Sequence, residues 1–133
     1  MVVCSTRVDT HYKTIRPSIE AGKDVFVEWP LASNMQQAEE LASLAKDKGV
    51  KTMVGLQGRV SPVYLKVKDL VQGGKIGNIL SSSMTLSGGT SSRDSTGEGL
   101  SYFFDRSVGG NFLSILVGHS EKPKPLYPQR HSI

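Results

Sequence analysis

Three short stretches of this sequence carry side chains that can hydrogen-bond to a ligand or pair with its charge. Each stretch directly follows a run of apolar residues that is typical of a buried strand. In an open parallel α/β sheet, ligands bind outside the carboxyl ends of the strands, so these stretches predict a ligand site along one edge of a sheet. Loop polarity and helix capping are the simpler interpretation of any one stretch, and three stretches at one edge favour a site. The candidate residues are Thr6, Arg7, His11, Glu28, Trp29, Gln57 and Arg59.

The common phosphate-binding and catalytic motifs are absent from the sequence. A dinucleotide site normally has a glycine-rich turn after its first strand, because only glycine lets the backbone approach the pyrophosphate at a helix N-terminus. The sequence has no G-x-G-x-x-G, no P-loop, no G-x-S-x-G elbow and no cluster with metal-ligand spacing. We therefore predict no metal site. Two interpretations stay open: the sheet binds another kind of ligand, or the phosphate-binding half of the site lies upstream of Met1.

Alternating strand and helix patterns predict a βαβαβ unit with right-handed crossovers at the start of the chain. An apolar stripe at helical spacing predicts the first helix, which Gly22 should end and Pro17 should kink or shorten. A capping box from Ser33 to Gln36 predicts the start of the second helix, which should end near Gly49. The strands are predicted over residues 1–6, 24–29 and 51–56.

The pattern changes class near residue 78. Ser61 and Pro62 predict the start of one more crossover helix, and residues 79–87 alternate apolar and serine residues as a half-exposed antiparallel strand does. A mobile loop over 87–100 and a helix with His119 at its end are predicted next. The predicted fold class is α/β: the C-terminal half of a Rossmann-like parallel sheet, then the start of an α+β antiparallel-sheet domain, then an unrelated or disordered tail. These parts span residues 1–77, 78–119 and 120–133.

Composition excludes several function classes. Sixteen Lys and Arg against twelve Asp and Glu give a net charge of +4, and half of that excess lies in the last fourteen residues, so direct nucleic-acid binding is not expected. No apolar run reaches the length of about 20 residues that a membrane span needs. The single cysteine, Cys4, lies in an apolar run and is expected to be a buried thiol. These features favour an intracellular protein that does not enter a membrane.

The strand-end residues also resemble a known family. Thr6 with His11 five residues on, AGKDVFVEWPL, VGLQGR-SP and GGKIGNI are similar to motifs of the Gfo/Idh/MocA family of nicotinamide-dependent oxidoreductases. The resemblance covers residues 1 to about 119 and implies a Rossmann fold that binds NAD or NADP. It also implies that Thr6, Glu28 and Arg59 lie along the nicotinamide and ribose end of the cofactor.

Two positions depart from the family pattern. Trp29 stands where family members have the lysine of Glu-Lys-Pro, and Ile115 stands where they have the aspartate of Asp-x-Gly-x-His. An indole N–H donates a hydrogen bond but does not accept a proton, so the usual base for alcohol oxidation is missing. His119 stands at the histidine position of that motif and is the one weak candidate for a catalytic residue. For Trp29 itself, core packing and a lid over the nicotinamide end stay open.

One branch of the family, the fungal repressors of the galactose regulon, shares these departures. The resemblance to that branch implies a noncatalytic, dinucleotide-binding protein of the cytoplasm or nucleus that forms a homo-oligomer and masks a transcriptional activator protein. The alternatives are an NAD- or NADP-dependent sugar or polyol oxidoreductase, and a chain without independent activity. Because the glycine turn is missing, the chain alone is expected to bind NAD or NADP weakly or not at all.

Overall fold

The three predicted strands form one parallel sheet. The computed structural model describes residues 1–83, 85, 97 and 99–120. Within it the strand order is β1-β2-β3, and each strand runs parallel to its neighbour. The strands are β1 (Val2–Cys4), β2 (Val25–Glu28) and β3 (Thr52–Gly55). The predicted α/β fold with a Rossmann-type parallel sheet is confirmed.

Two crossover helices bury the core against one face of this sheet. Burial alternates along β2, with Val25 and Val27 buried and Phe26 and Glu28 half-buried, as expected where helices pack on one face. The helices are α1 (Val8–Glu20) and α2 (Met35–Lys48). The core consists of Cys4, Val25 and Val27 from the sheet, Ile15 and Ile19 from α1, and Leu41 and Ala45 from α2. The prediction that Cys4 is a buried thiol is confirmed.

Pro17 does not shorten the first helix. Helix α1 continues through Pro17 to Glu20, and Gly22 follows with a positive φ of 70°. Pro17 lies on the exposed side of the helix, where water can satisfy the carbonyl that loses its N–H partner. On the other side, Ile15 and Ile19 are 0% and 1% exposed. Their burial holds the last turn on the sheet, so packing prevails over the local preference of proline.

The second helix begins one residue later than the sequence predicts. Its N-cap is Asn34, whose side-chain oxygen accepts a hydrogen bond from the Gln37 backbone N–H at 2.9 Å. The Gln37 side chain in turn accepts from the backbone N–H of Ser33 at 3.3 Å. The predicted capping box at Ser33 is therefore displaced by one residue. Asparagine caps helices at least as well as serine, so the pattern alone did not discriminate between them.

This displacement gives a matched pair of variants. We expect Asn34→Ala to lower the free energy of unfolding by about 1 kcal/mol, because the first turn of α2 loses its side-chain acceptor. Ser33→Ala should change stability by less than about 0.5 kcal/mol. Urea denaturation of both variants, followed by circular dichroism, makes the comparison. A larger loss for Ser33→Ala than for Asn34→Ala would show that the helix begins at the residue that the sequence pattern indicated.

The region after the sheet differs from its prediction. Helix α3 (Pro62–Gln72) begins as expected, with the Ser61 hydroxyl accepting from the Tyr64 N–H at 3.3 Å. The strand predicted over 79–87 is not formed by residues 79–83 or 85, and Leu80 is 92% exposed. A strand needs a hydrogen-bonded neighbour, and no described strand pairs with this segment. Position 84 and positions 86–87 of that prediction, and most of the predicted loop over 87–100, lie outside the described residues.

The last described segment is helical and carries His119, as predicted. It contains a π-helical stretch (Leu113–Val117) followed by Gly118–Ser120. Two short 3₁₀ turns, Ser101–Phe104 and Arg106–Val108, precede it. The predicted tail lies outside the described residues except for its first position. Among the residues that are described, no helix has the length and apolar composition that a membrane crossing needs.

Candidate functional site

The carboxylate of Glu28 joins the carboxyl ends of β2 and β3. Its Oε1 accepts from the Trp29 backbone N–H at 3.0 Å, and its Oε2 accepts from Gln57 Nε2 at 2.8 Å. Gly55 permits this arrangement, because a Cβ there would lie 2.9 Å from Phe26 Cζ and 3.3 Å from Glu28 Oε1. Two of the predicted site residues from different strands are thus in direct contact.

His119 joins the same group from the far end of the chain. Its Nε2 lies 3.8 Å from Glu28 Oε1. The close approach requires Gly58, since a Cβ at that position would lie 2.5 Å from the His119 carbonyl oxygen. Glu28, Gln57 and His119 therefore form one polar cluster, which we call the strand-end cluster.

Trp29 packs on the C-terminal helical segment. Its indole Nε1 donates a hydrogen bond to the Ser114 carbonyl oxygen at 2.7 Å. A Cβ on Gly118 would lie 2.2 Å from that same Nε1, so only glycine fits against the ring. Sequence reasoning left core packing and an open lid as alternatives for this residue. The structure places the indole between the end of β2 and the segment that carries His119.

The partner of Trp29 was missed at the sequence level. Ser114 and Asn111 cap one another: the Asn111 N–H donates to Ser114 Oγ at 2.9 Å, and the Ser114 N–H donates to Asn111 Oδ1 at 2.9 Å. This is the reciprocal pattern of a capping box, and the three-residue spacing of Asn and Ser was its signal in the sequence. The pair fixes the turn whose Ser114 carbonyl accepts the hydrogen bond from the Trp29 indole N–H.

His11 lies inside the fold and not on the ligand side of the strand ends. It is 1% exposed, its Nδ1 lies 2.8 Å from the Pro30 carbonyl oxygen, and its Nε2 lies 2.9 Å from the Thr6 carbonyl oxygen. Carbonyl oxygens only accept, so a ring that carries both N–H protons satisfies both contacts and a neutral ring satisfies one. A direct cofactor contact by His11, as predicted from its spacing, would have to displace one of these bonds.

Thr6 keeps an acceptor available at the end of β1. The Thr10 hydroxyl donates to the Arg7 carbonyl at 2.7 Å, so in the 2.7 Å contact between the two threonine hydroxyls it is Thr6 that donates. The Cys4 thiol lies 3.4 Å from Thr6 Oγ1 on the other side. Thr6 is exposed, and its hydroxyl oxygen keeps acceptor capacity beyond the Cys4 contact.

The charge of Arg7 is already paired. Its Nε and Nη2 donate to the two carboxylate oxygens of Asp9 at 2.7 Å each, and its guanidinium carbon lies 5.7 Å from the centre of the Tyr102 ring. These hydrogen bonds and the attraction between the charges raise the pKa of Arg7 and lower the pKa of the Asp9 carboxyl. Arg7 thus connects the start of α1 to residues 101–104, and its half-exposed charge is shared with Asp9.

Arg59, unlike Arg7, has a side-chain donor without a hydrogen-bond partner among the described residues. It lies in the 3₁₀ turn Gln57–Val60 that follows β3, and its Nε is buried without a hydrogen-bond partner in the part of the chain that the structure describes. A buried donor without an acceptor costs about 1–3 kcal/mol. An acceptor oxygen of a ligand would supply the hydrogen bond that this Nε lacks.

Other sites are less suited to chemistry. No three His, Cys, Asp or Glu side chains lie close enough to share a metal ion among the residues that the structure describes. A cleft of about 510 Å³ lies between α1 and α2, away from the strand ends. Its Tyr12, Arg16 and Glu40 side chains are hydrogen-bonded to one another across the two helices.

Two family models match consecutive parts of the chain, and the boundary between them lies just after β3. Residues 1–56 match the oxidoreductase family with an NAD-binding Rossmann fold, Gfo/Idh/MocA, and residues 62–122 match the C-terminal domain of Gal80p. The chain is 38% identical over 119 residues to the dehydrogenase aclE of Aspergillus oryzae, which covers 90% of this chain and 32% of that protein. It is 32% identical over 126 residues to the galactose/lactose metabolism regulatory protein GAL80 of Saccharomyces cerevisiae, which covers 90% of this chain and 29% of that protein.

A solved structure agrees with these matches. The G301R super-repressor mutant of Gal80p from Saccharomyces cerevisiae superposes with a TM-score of 0.71 at 30% identity, over 89% of this chain and 32% of that one. The chain thus spans about a third of the length of the relatives that it matches.

Proposed function

Because the chain belongs to the Gfo/Idh/MocA family of NAD-binding oxidoreductases and has a Gal80-like C-terminal part, we propose that its strand ends hold the nicotinamide and ribose end of NAD or NADP without catalysing hydride transfer. Three groups are suited to the ribose hydroxyls and the carboxamide. They are the Thr6 hydroxyl oxygen, the Gln57 amide oxygen left over by the bond to Glu28, and the Arg59 Nε without a partner.

The residues present fit a nicotinamide dinucleotide at one end only. The buried Nε of Arg59 needs an acceptor, and both ribose and carboxamide oxygens provide one. The glycine-rich turn for the pyrophosphate is not among these residues. When bound, the cofactor would supply the hydride chemistry. The contribution of this chain is to bind and orient its nicotinamide end.

The observation that supports a noncatalytic site is the fixed position of Trp29. Its N–H is committed to the Ser114 carbonyl, and its ring lies against Gly118, so no ammonium group occupies the place of the family lysine. Ile115 at the aspartate position cannot carry a proton either. A substrate hydroxyl beside this indole would meet a hydrogen-bond donor but no proton acceptor.

A specific observation favours one second candidate. His119 Nε2 lies 3.8 Å from Glu28 Oε1, and a carboxylate beside an imidazole is an arrangement that serves general bases. The similarity to the Aspergillus oryzae dehydrogenase points the same way. In this alternative the protein oxidises a sugar or polyol, with His119 as the base.

The proposed role is regulatory, in the manner of the galactose/lactose metabolism regulatory protein that the chain resembles. On this proposal the whole protein is an intracellular homo-oligomer of the cytoplasm or nucleus. It binds a transcriptional activator protein and does not contact nucleic acid itself. The dinucleotide site then serves as a ligand sensor and not as an active site.

Nicotinamide mononucleotide and adenosine monophosphate distinguish the two ends of the cofactor. We expect nicotinamide mononucleotide to shift the backbone amide signals of Thr6, Gln57 and Arg59 in nuclear magnetic resonance spectra of this chain. The affinity should be about millimolar, or about −4 kcal/mol, because half of the dinucleotide is unrecognised. Adenosine monophosphate, which has the same phosphate and ribose but no carboxamide, should shift those signals less. Equal shifts with both mononucleotides, or none with either, would contradict the proposed site.

A further inference from the structure

His11 is the one buried polar side chain in the described part of the chain. It lies near the N-terminal end of α1, four residues after the N-cap Arg7. Its ring bridges two backbone segments that are 24 residues apart in sequence, at Thr6 and Pro30. A core position of this kind is normally apolar, so its polar atoms require an explanation.

The bridge lies just beyond the point where the sheet stops holding these segments together. Pairing between β1 and β2 ends at Cys4 and Val27, so Thr6 and Pro30 have no ladder bond to each other. The two ring nitrogens of His11 lie within hydrogen-bond distance of these carbonyl oxygens, at 2.9 and 2.8 Å, and a ring that carries both N–H protons donates to both. Thr6 is an exposed residue with acceptor capacity on its hydroxyl, and Pro30 directly follows Trp29.

We propose that His11 is a positioning residue that sets the distance between the Thr6 hydroxyl and the Trp29 indole. It acts through the backbone of both loops and does not touch the ligand. That Thr6 then serves the nicotinamide end of a dinucleotide rests on the proposed function. The bridge itself rests only on the contacts of the ring.

A purely space-filling role makes a different prediction. If the ring only filled the core, an apolar side chain of similar size would preserve the loops and alter global stability alone. If the ring holds the loops, its loss releases them while the rest of the fold persists, because local opening costs less than global unfolding. The two roles are therefore separated by a local measurement.

The chain contains a reporter at the required place. Trp29 is the single tryptophan in the sequence, so its emission and its quenching by acrylamide report on the loop after β2. We expect His11→Leu to shift the emission to longer wavelength and to increase quenching at temperatures well below unfolding. His11→Gln, which keeps a side-chain donor, should restore part of the native signal.

Ile15→Val is the matched control. Ile15 lies one turn further along α1 and is 0% exposed, so its truncation weakens the same core without removing a polar contact. We expect it to lower the melting temperature and to leave Trp29 emission unchanged. Native emission and quenching in His11→Leu would overturn the proposal. So would loss of the whole fold in His11→Gln while Ile15→Val stays folded, because His11 would then support the core as a whole.

A ligand arm separates this proposal from the proposed function. In the same chain, His11→Leu should weaken binding of nicotinamide mononucleotide about tenfold, or 1.4 kcal/mol. If the unaltered chain does not bind that mononucleotide while the His11 variants still release Trp29, the proposed function fails and the positioning role stands. If the mononucleotide binds equally well to both chains and Trp29 emission is unchanged, the positioning role fails and the proposed function stands.

Discussion

Truncation of Trp29 to alanine should lower the free energy of unfolding of the ligand-free chain by about 2 kcal/mol. Loss of a fully buried tryptophan costs about 3–5 kcal/mol, and this indole is half-buried. The variant loses the packing of the ring on Gly118 and the hydrogen bond from Nε1 to the Ser114 carbonyl. Urea denaturation followed by circular dichroism measures the difference.

Trp29→Phe is the matched control, because it keeps an aromatic ring and removes the N–H with only part of the ring system. Its cost should be about 1 kcal/mol, the net value of one hydrogen bond. If Trp29→Ala falls within about 0.5 kcal/mol of the unaltered chain, the indole does not support the fold and is an open lid over the site.

The partner glycine tests the same contact from the other side. Gly118→Ala should displace the indole, because the new Cβ would lie 2.2 Å from Nε1. In a chain that already carries Trp29→Ala, the same substitution should cost much less, since the ring that it strikes is gone. Equal costs in both backgrounds would show that Trp29 and Gly118 do not interact.

The second large effect concerns catalysis. Its test requires the segments of the relatives that lie outside the region matched by this chain. We define the extended chain as residues 1–119 joined to the segments that flank the matched region in the Aspergillus oryzae dehydrogenase. Its reduction of NAD⁺ or NADP⁺ by sugars and polyols should stay at the background rate of the assay, because the general base, which typically contributes about 10²–10⁴-fold, is missing.

Restoring the family lysine should not repair this defect. Trp29→Lys in the extended chain supplies an ammonium but leaves Ile115 without a carboxylate, and catalytic groups that act as a unit are strongly nonadditive. Turnover by the extended chain without any substitution would favour the alternative in which His119 is the base.

Features that depend on nearby residues were predictable from the sequence. The apolar runs of the three strands and the helical spacing of Ile15 and Ile19 describe their own local geometry, so the parallel sheet and its helices follow from them. The N-cap of α2 was misplaced by one residue because Ser33 and Asn34 are both good caps. Only the contacts of Gln37 decide between them.

Features that depend on distant residues were not predictable. The hydrogen-bond acceptor of Trp29 is 85 residues away in the sequence, and no sequence pattern near Trp29 indicates that partner. His11 was expected to face a ligand because its spacing from Thr6 matches a family motif, yet the structure buries it between two carbonyls. The strand predicted over 79–87 is not formed by its described residues, 79–83 and 85, for the same reason, since alternation marks a strand only where a neighbour pairs with it.

We propose that the strand ends hold the nicotinamide end of a dinucleotide, and that the ligand supplies the hydrogen-bond acceptor that the Arg59 Nε lacks among the described residues. Calorimetric titration of the extended chain with NADH and NADPH tests this proposal. We predict an affinity of about 1 μM, or about −8 kcal/mol, for at least one of them. Arg59→Lys, which keeps the charge but removes Nε, should weaken it about tenfold, and the matched change Arg16→Lys on the outer face of α1 should not. Absence of binding by a folded extended chain, or equal affinities for the two variants, would contradict the account.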